Sequence, residues 1–159
     1  MIFSELILEL QAELKKELAQ IRFLVKKNPG AGYSKIVEIG KMVGKRYDIK
    51  LIANFPKEGR IQEFDMYGKR DLSLIIDYDQ KKFPIDREII KQKAKEILGD
   101  VQTQDAYMND DKEGVRVFTE NWKIDILPHS VHIWTEFDEK VTTFCNWLME
   151  NAYQMKKKE

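Results

Sequence analysis

The chain has 159 residues, 43% of them hydrophobic, with 27 basic against 27 acidic side chains; a chain of this size buries about two thirds of its unfolded surface, enough for one core and too little for a second domain. Charge balance excludes a global positive field that would hold nucleic acid non-specifically. The single Cys145 excludes an intrachain disulfide and suits the cytoplasm, while Glu5 and Glu9 in the first apolar run, with no long uncharged stretch, argue against a signal peptide or a membrane span.

In chain order, the first expected element is one long amphipathic helix over 1–28. Ser4 suits an N-cap, and Phe3, Ile7, Leu10, Leu14, Leu18, Ile21 and Val25 recur at spacings of three and four. Such a helix runs roughly 35 Å, so its stripe either packs along a sheet or forms the seam of a homodimer. It stops at Asn28-Pro29-Gly30. A second helix is expected over 34–46 with Ile36, Ile39 and Val43 inward, and Gly40 and Gly44 share a face, which favours close packing. The segment NPGAGYSK lacks the G-K-[ST] ending of a phosphate loop and follows no strand.

The sheet core is expected over 48–137. Three strands, 48–55, 60–67 and 71–79, are separated by short turns rich in Gly, Pro and Lys, the pattern of an antiparallel meander. One central helix follows over 84–98 and ends at Gly99. An acidic loop over 108–114 leads to strands at 115–119, 122–127 and 131–137. Trp122, Trp134, Trp147, Phe118 and Phe144 are expected between sheet and last helix. That helix, capped by Asp138 and running over 138–158, turns Val141, Phe144, Cys145, Leu148, Ala152 and Met155 inward and ends in Lys156 to Lys158. The fold class is α+β, a largely antiparallel or mixed sheet packed against long terminal helices.

The chemistry centres on KRDLSLIIDYD at Lys69 to Asp79 and KIDILPH at Lys123 to His129. Strand alternation puts Leu72, Leu74 and Ile76 on one face and Asp71, Ser73, Asp77 and Asp79 on the other. Asp125 is a lone carboxylate between Ile124 and Ile126. An ionised group there needs a partner, a metal or a basic residue across the sheet such as Arg116, unless the strand is an edge with one wet face. His129 and His132, three apart on an extended chain, face opposite sides and do not form a zinc site.

A strand carrying D-x-D before apolar residues, then a helix, then a strand with Asp, an apolar residue and Pro resembles the polymerase-β-like nucleotidyltransferase superfamily, particularly its oligonucleotide-signal branch. RDLSLIIDYD and KIDILP carry the resemblance, which spans about 49–128. It implies Mg²⁺ held by Asp71 and Asp125 as catalytic ligands, with Asp77, Glu63 or Asp65 (the last two from QEFDM) assisting. It further implies a nucleotide whose phosphates meet Lys69, Arg70 and Ser73. Ser73 stands where the family has its second Asp, and a hydroxyl does not replace a carboxylate bridging two cations, so the site is degenerate. Two alternatives stand beside it. One is a non-enzymatic interaction or adaptor domain, dimeric through the first helix. The other is a restriction-endonuclease-like nuclease using Glu38, Asp65 or Asp71, and Asp77 to Lys81, in which Asp79 occupies the position that D/E-x-K reserves for lysine.

Overall fold

A sheet organises the chain. A computed structural model describes residues 2–54, 73–78, 80–108, 111–135, 138–155 and 157. Among them the chain forms helices α1 (Ile2–Lys16), α2 (Leu18–Lys27), α3 (Pro29–Lys45), α4 (Arg87–Leu98) and α5 (Glu139–Asn151), with strands β1 (Lys50–Asn54), β2 (Ser73–Asp77), β3 (Gln102–Met108), β4 (Asp111–Phe118), β5 (Lys123–Ile126) and β6 (Ser130–Trp134). The six strands make one antiparallel sheet in the order β1-β2-β6-β5-β4-β3. The class is α+β, as the pattern predicts.

Alternation along the strands builds the core. Leu51, Ile76, Val131, Ile126 and Val115 form one cross-strand row, and Ala53, Leu74, Ile133, Ile124 and Val117 the next, all buried. Helices cover this face: α3 lies on β1 and α4 on β3 and β4, while α1 packs between α3 and α5, and α5 against α4. Gly40 and Gly44 let α3 come down on β1. A Cβ at Gly44 would sit 2.9 Å from the Leu51 backbone nitrogen, and one at Gly40 3.1 Å from that of Ala53.

Several expectations need correction. The helix over 1–28 is broken at Glu17, whose φ of −101° and ψ of 7° leave the helical region, and α2 packs on α3. Of its apolar stripe, Phe3, Ile7, Leu10, Leu14, Ile21 and Val25 are buried in the chain's own core and Leu18 is partly buried, the packing that the sequence offers beside a dimer seam. Ser4 lies inside α1, not at its cap. Its backbone N–H donates to Asn146 Oδ1 at 3.0 Å and its hydroxyl accepts from Asn146 Nδ2 at 2.7 Å, which satisfies a buried amide of α5.

Asn28 ends α2 and caps α3, accepting from the Gly30 N–H, with Pro29 in the first turn where it lacks no needed donor, so α3 begins before Ser34. β3 was not anticipated. Its polar run QTQDAYM shows no apolar alternation and is a strand because β4 pairs with it. β4 begins at Asp111, so most of the expected acidic loop belongs to this hairpin. The strand expected over 60–67 lies outside the described residues. α5 ends at Asn151, and Lys157 beyond it pairs with Glu9 rather than lying in a last helical turn.

Candidate functional site on the outer face of the sheet

The same alternation that buries Val131 and Ile133 turns Ser130, His132 and Trp134 to the opposite face. The register makes a row across it: Ile52, Ile75, His132, Asp125, Arg116, Gln104. A second row holds Trp134, Lys123, Phe118 and Gln102. Trp134 and Phe118 therefore sit on the outer face and not between sheet and helix. Phe144 is buried in the core, with Trp122 and Trp147 packed at its margin.

Asp125 is answered within the sheet. Arg116, directly opposite on β4, donates from Nε to Oδ1 at 2.7 Å and from Nη2 to Oδ2 at 3.1 Å. This fork uses both carboxylate oxygens, and the hydrogen bonds raise the Arg116 pKa above its usual value. His132 lies across from Asp125 on β6. Burial lowers its pKa, against the pull of the Asp125 and Asp77 carboxylates, so neutral imidazole is favoured. Its Nε2 shares a hydrogen bond of 3.1 Å with Ser130 Oγ. Its ring lies 5.4 Å from that of Trp134, which also carries the Lys123 ammonium 4.6 Å above it.

These neighbours do not make a hydrolytic triad. Ser130 is only 2% exposed, which keeps substrate from its hydroxyl, and Asp125 gives its oxygens to Arg116 rather than to the imidazole.

Of the acidic residues singled out above, Asp77 shares this face but stands opposite Lys50 and Ser130. Two strand spacings and two residues separate it from Asp125, about 12 Å between Cα atoms, too far for both to ligate one Mg²⁺ at about 2 Å. Ser73 is buried at the start of β2, on the face of Asp77. Glu63, Asp65, Lys69, Arg70, Asp71 and Asp79 lie outside the described residues. Glu38 is exposed on α3 and Lys81 beyond the end of β2. Among the described residues no three His, Cys, Asp or Glu side chains converge as a metal site.

Sequence reasoning named Arg116 as a partner for Asp125 but missed the grouping of Ser130, His132 and Trp134 with Lys123. The polar and aromatic positions of SVHIW, alternating with Val131 and Ile133, carried that signal. The turn before them is pinned by Tyr153, just past α5, whose Oη donates to the Leu127 carbonyl, and by Gln80, just past β2, whose Nε2 donates to the Pro128 carbonyl at 3.2 Å. A separate cavity of about 390 Å³ opens between the end of α4 and the start of α5, lined by Leu98, Val101, Thr119, Trp122 and Asp138. The Asp138 carboxylate there accepts from the Val141 N–H as the cap of α5. No helix among the described residues is long and apolar enough to cross a membrane. No family model matches the chain, and no curated protein or solved structure matches it either.

Proposed function

We propose that this is a nucleotidyltransferase-like domain with a degenerate metal site, which binds its ligand without transferring it. The observation that carries the silent form is the fork between Arg116 and Asp125. A carboxylate whose two oxygens already accept charged hydrogen bonds is a poor Mg²⁺ ligand, because the metal must first displace the guanidinium. Ser73 in place of the family's second Asp points the same way. The ligand implied by the resemblance is a nucleotide, and the outer face supports it with an ammonium, an imidazole and an indole grouped at Lys123, His132 and Trp134.

A second reading, a protein-interaction domain with no nucleotide, is favoured by β3, an outermost strand with exposed Gln102, Gln104 and Tyr107. Isothermal titration of ATP and GTP, with and without Mg²⁺ or Mn²⁺, separates the possibilities when run on the wild type, Asp125→Asn, Lys123→Ala and Trp134→Ala. Metal-independent binding weakened by Lys123→Ala and Trp134→Ala supports a silent nucleotide binder. Metal-dependent binding with transfer product, abolished by Asp125→Asn, overturns silence. Absence of heat in every titration sinks the nucleotide reading and leaves the interaction domain.

A further inference from the structure

On the outer face, the row Trp134, Lys123, Phe118, Gln102 alternates rings with polar groups across four neighbouring strands. Trp134 and Phe118 stand two strand spacings apart, about 10 Å between Cα atoms, with Lys123 midway. The helices cover the other face, and both rings are half-buried on this one. Among the described residues no ring or ammonium lies over Phe118, and Gln102 beside it is exposed.

Charge limits what this row can hold. In the neighbouring row Arg116 and Asp125 neutralise each other through their fork, and Asp77 stands across from Lys50. Lys123 is then the one ammonium of the row, and its single charge matches one phosphodiester. The triphosphate of ATP or GTP would set several negative charges against it. A mononucleotide also brings one base to two rings. Two successive nucleotides of a single strand satisfy both counts, with a ring for each base and an ammonium for the phosphate that joins them. An apolar protein surface laid here would instead strip water from Lys123 and Gln102 without replacing their hydrogen bonds. The Gln102 amide, both donor and acceptor, lies beside the edge of a base stacked on Phe118.

We propose that this row holds two consecutive nucleotides of a single-stranded nucleic acid, one base on Phe118 and the next on Trp134, with Lys123 on the phosphate between them. The Lys123 ammonium, 4.6 Å from the centre of the Trp134 ring, swings from the indole to that phosphate and bares the ring for its base. Stacking accepts every base, so the site selects single strands rather than a sequence. The inference rests on the nucleotide reading of this face and narrows the ligand from a mononucleotide to a short strand.

Isothermal titration of AMP, ATP and the dinucleoside monophosphate ApA into the full chain tests this, with far-UV circular dichroism to confirm that each variant is folded. ApA is expected to bind about tenfold tighter than AMP, through its second stacked base, and ATP no tighter than AMP. Phe118→Leu and Trp134→Leu each remove a ring but keep apolar bulk, and each should bring ApA down to the affinity of AMP. Phe118→Tyr should preserve it. For octaadenylate, the logarithm of the association constant should fall with that of salt concentration at a slope of about −0.7, the value for one phosphate neutralised on a single strand, and Lys123→Met should flatten it. The deoxy dimer dApdA, titrated alongside, tells a DNA ligand from an RNA one. ATP bound as tightly as ApA, or ApA binding indifferent to Phe118→Leu, overturns the proposal and leaves the mononucleotide reading standing. ApA binding where ATP gives no heat supports it and confines the failure to mononucleotides. No heat with any of these ligands sinks both.

Discussion

Removing either half of the Arg116–Asp125 fork should destabilise the protein unequally. The Asp125 side chain is 14% exposed and that of Arg116 38%. Arg116→Met leaves a mostly buried carboxylate without its donors. Asp125→Asn leaves a guanidinium that can turn toward water. A fully buried pair broken on one side costs about 3–5 kcal/mol, and the exposure of Arg116 lowers that by solvent screening. We expect about 2 kcal/mol for Arg116→Met and about 1 kcal/mol for Asp125→Asn. In a chain of this length the larger loss lowers Tm by about 4–8 °C.

Urea unfolding of the wild type, both single variants and the double variant measures the coupling directly, and it should reach about 1 kcal/mol. Additivity within about 0.4 kcal/mol would refute the fork as the function of Asp125 in the fold. A Tm of the wild type raised by Mg²⁺, with no such rise in Asp125→Asn, would refute it from the other side by making Asp125 a metal ligand.

Gly44→Ala should cost about 2 kcal/mol by urea unfolding, because the new methyl meets the Leu51 nitrogen at 2.9 Å and the Ile49 carbonyl at 3.0 Å, and α3 must lift from β1. His132, lowered by burial below its usual 6.5, should show an NMR titration midpoint under that value. The unfolded state then takes up the proton first, so stability present above pH 6.5 falls as pH drops toward the folded pKa, and His132→Asn should flatten that part of the stability profile. Burial raises the Glu9 carboxyl, but hydrogen bonds from Lys157 and Arg46 outweigh it and hold Glu9 below its ordinary 4.5. Its contribution is complete above that pH and lost as acid approaches the folded pKa, so acid unfolding of Glu9→Gln should lose stability less steeply below pH 4.5 than the wild type.

Elements whose side chains supply their own reason to form were legible. The central helix has an apolar stripe and a stop at Gly99, and the last helix a cap and an apolar stripe, although the end of the last helix at Asn151 carries no signal. Asp86 accepts from the Glu88 N–H, Gly99 terminates α4 at a φ of 81°, and Asp138 caps α5. β5 and β6 alternate apolar and polar residues, and β2 is an apolar run bounded by Ser73 and Asp77. β3 has no such pattern, since Gln102, Thr103 and Gln104 become a strand only when β4 supplies the hydrogen bonds, and no periodicity in the run itself encodes that partner. The break at Glu17 is equally silent, because Leu14, Leu18 and Ile21 keep helical spacing across it, and α2 beyond it packs on α3.

The site shows the same division in sharper form. That Asp125 needs a partner follows from its two isoleucine neighbours, and that Arg116 is near enough follows from a hairpin of ordinary length. Which of metal and guanidinium holds the carboxylate depends on register, and register is a property of pairing between strands. A one-residue slip between β4 and β5 would put Arg116 on the core face and leave Asp125 on the outer face without it. In the register formed, Val115 meets Ile126 and Val117 meets Ile124, and burying those four side chains fixes Arg116 against Asp125. The ion pair is thus set by the core, and a metal ligand at Asp125 would have to compete with a guanidinium that the core keeps in place.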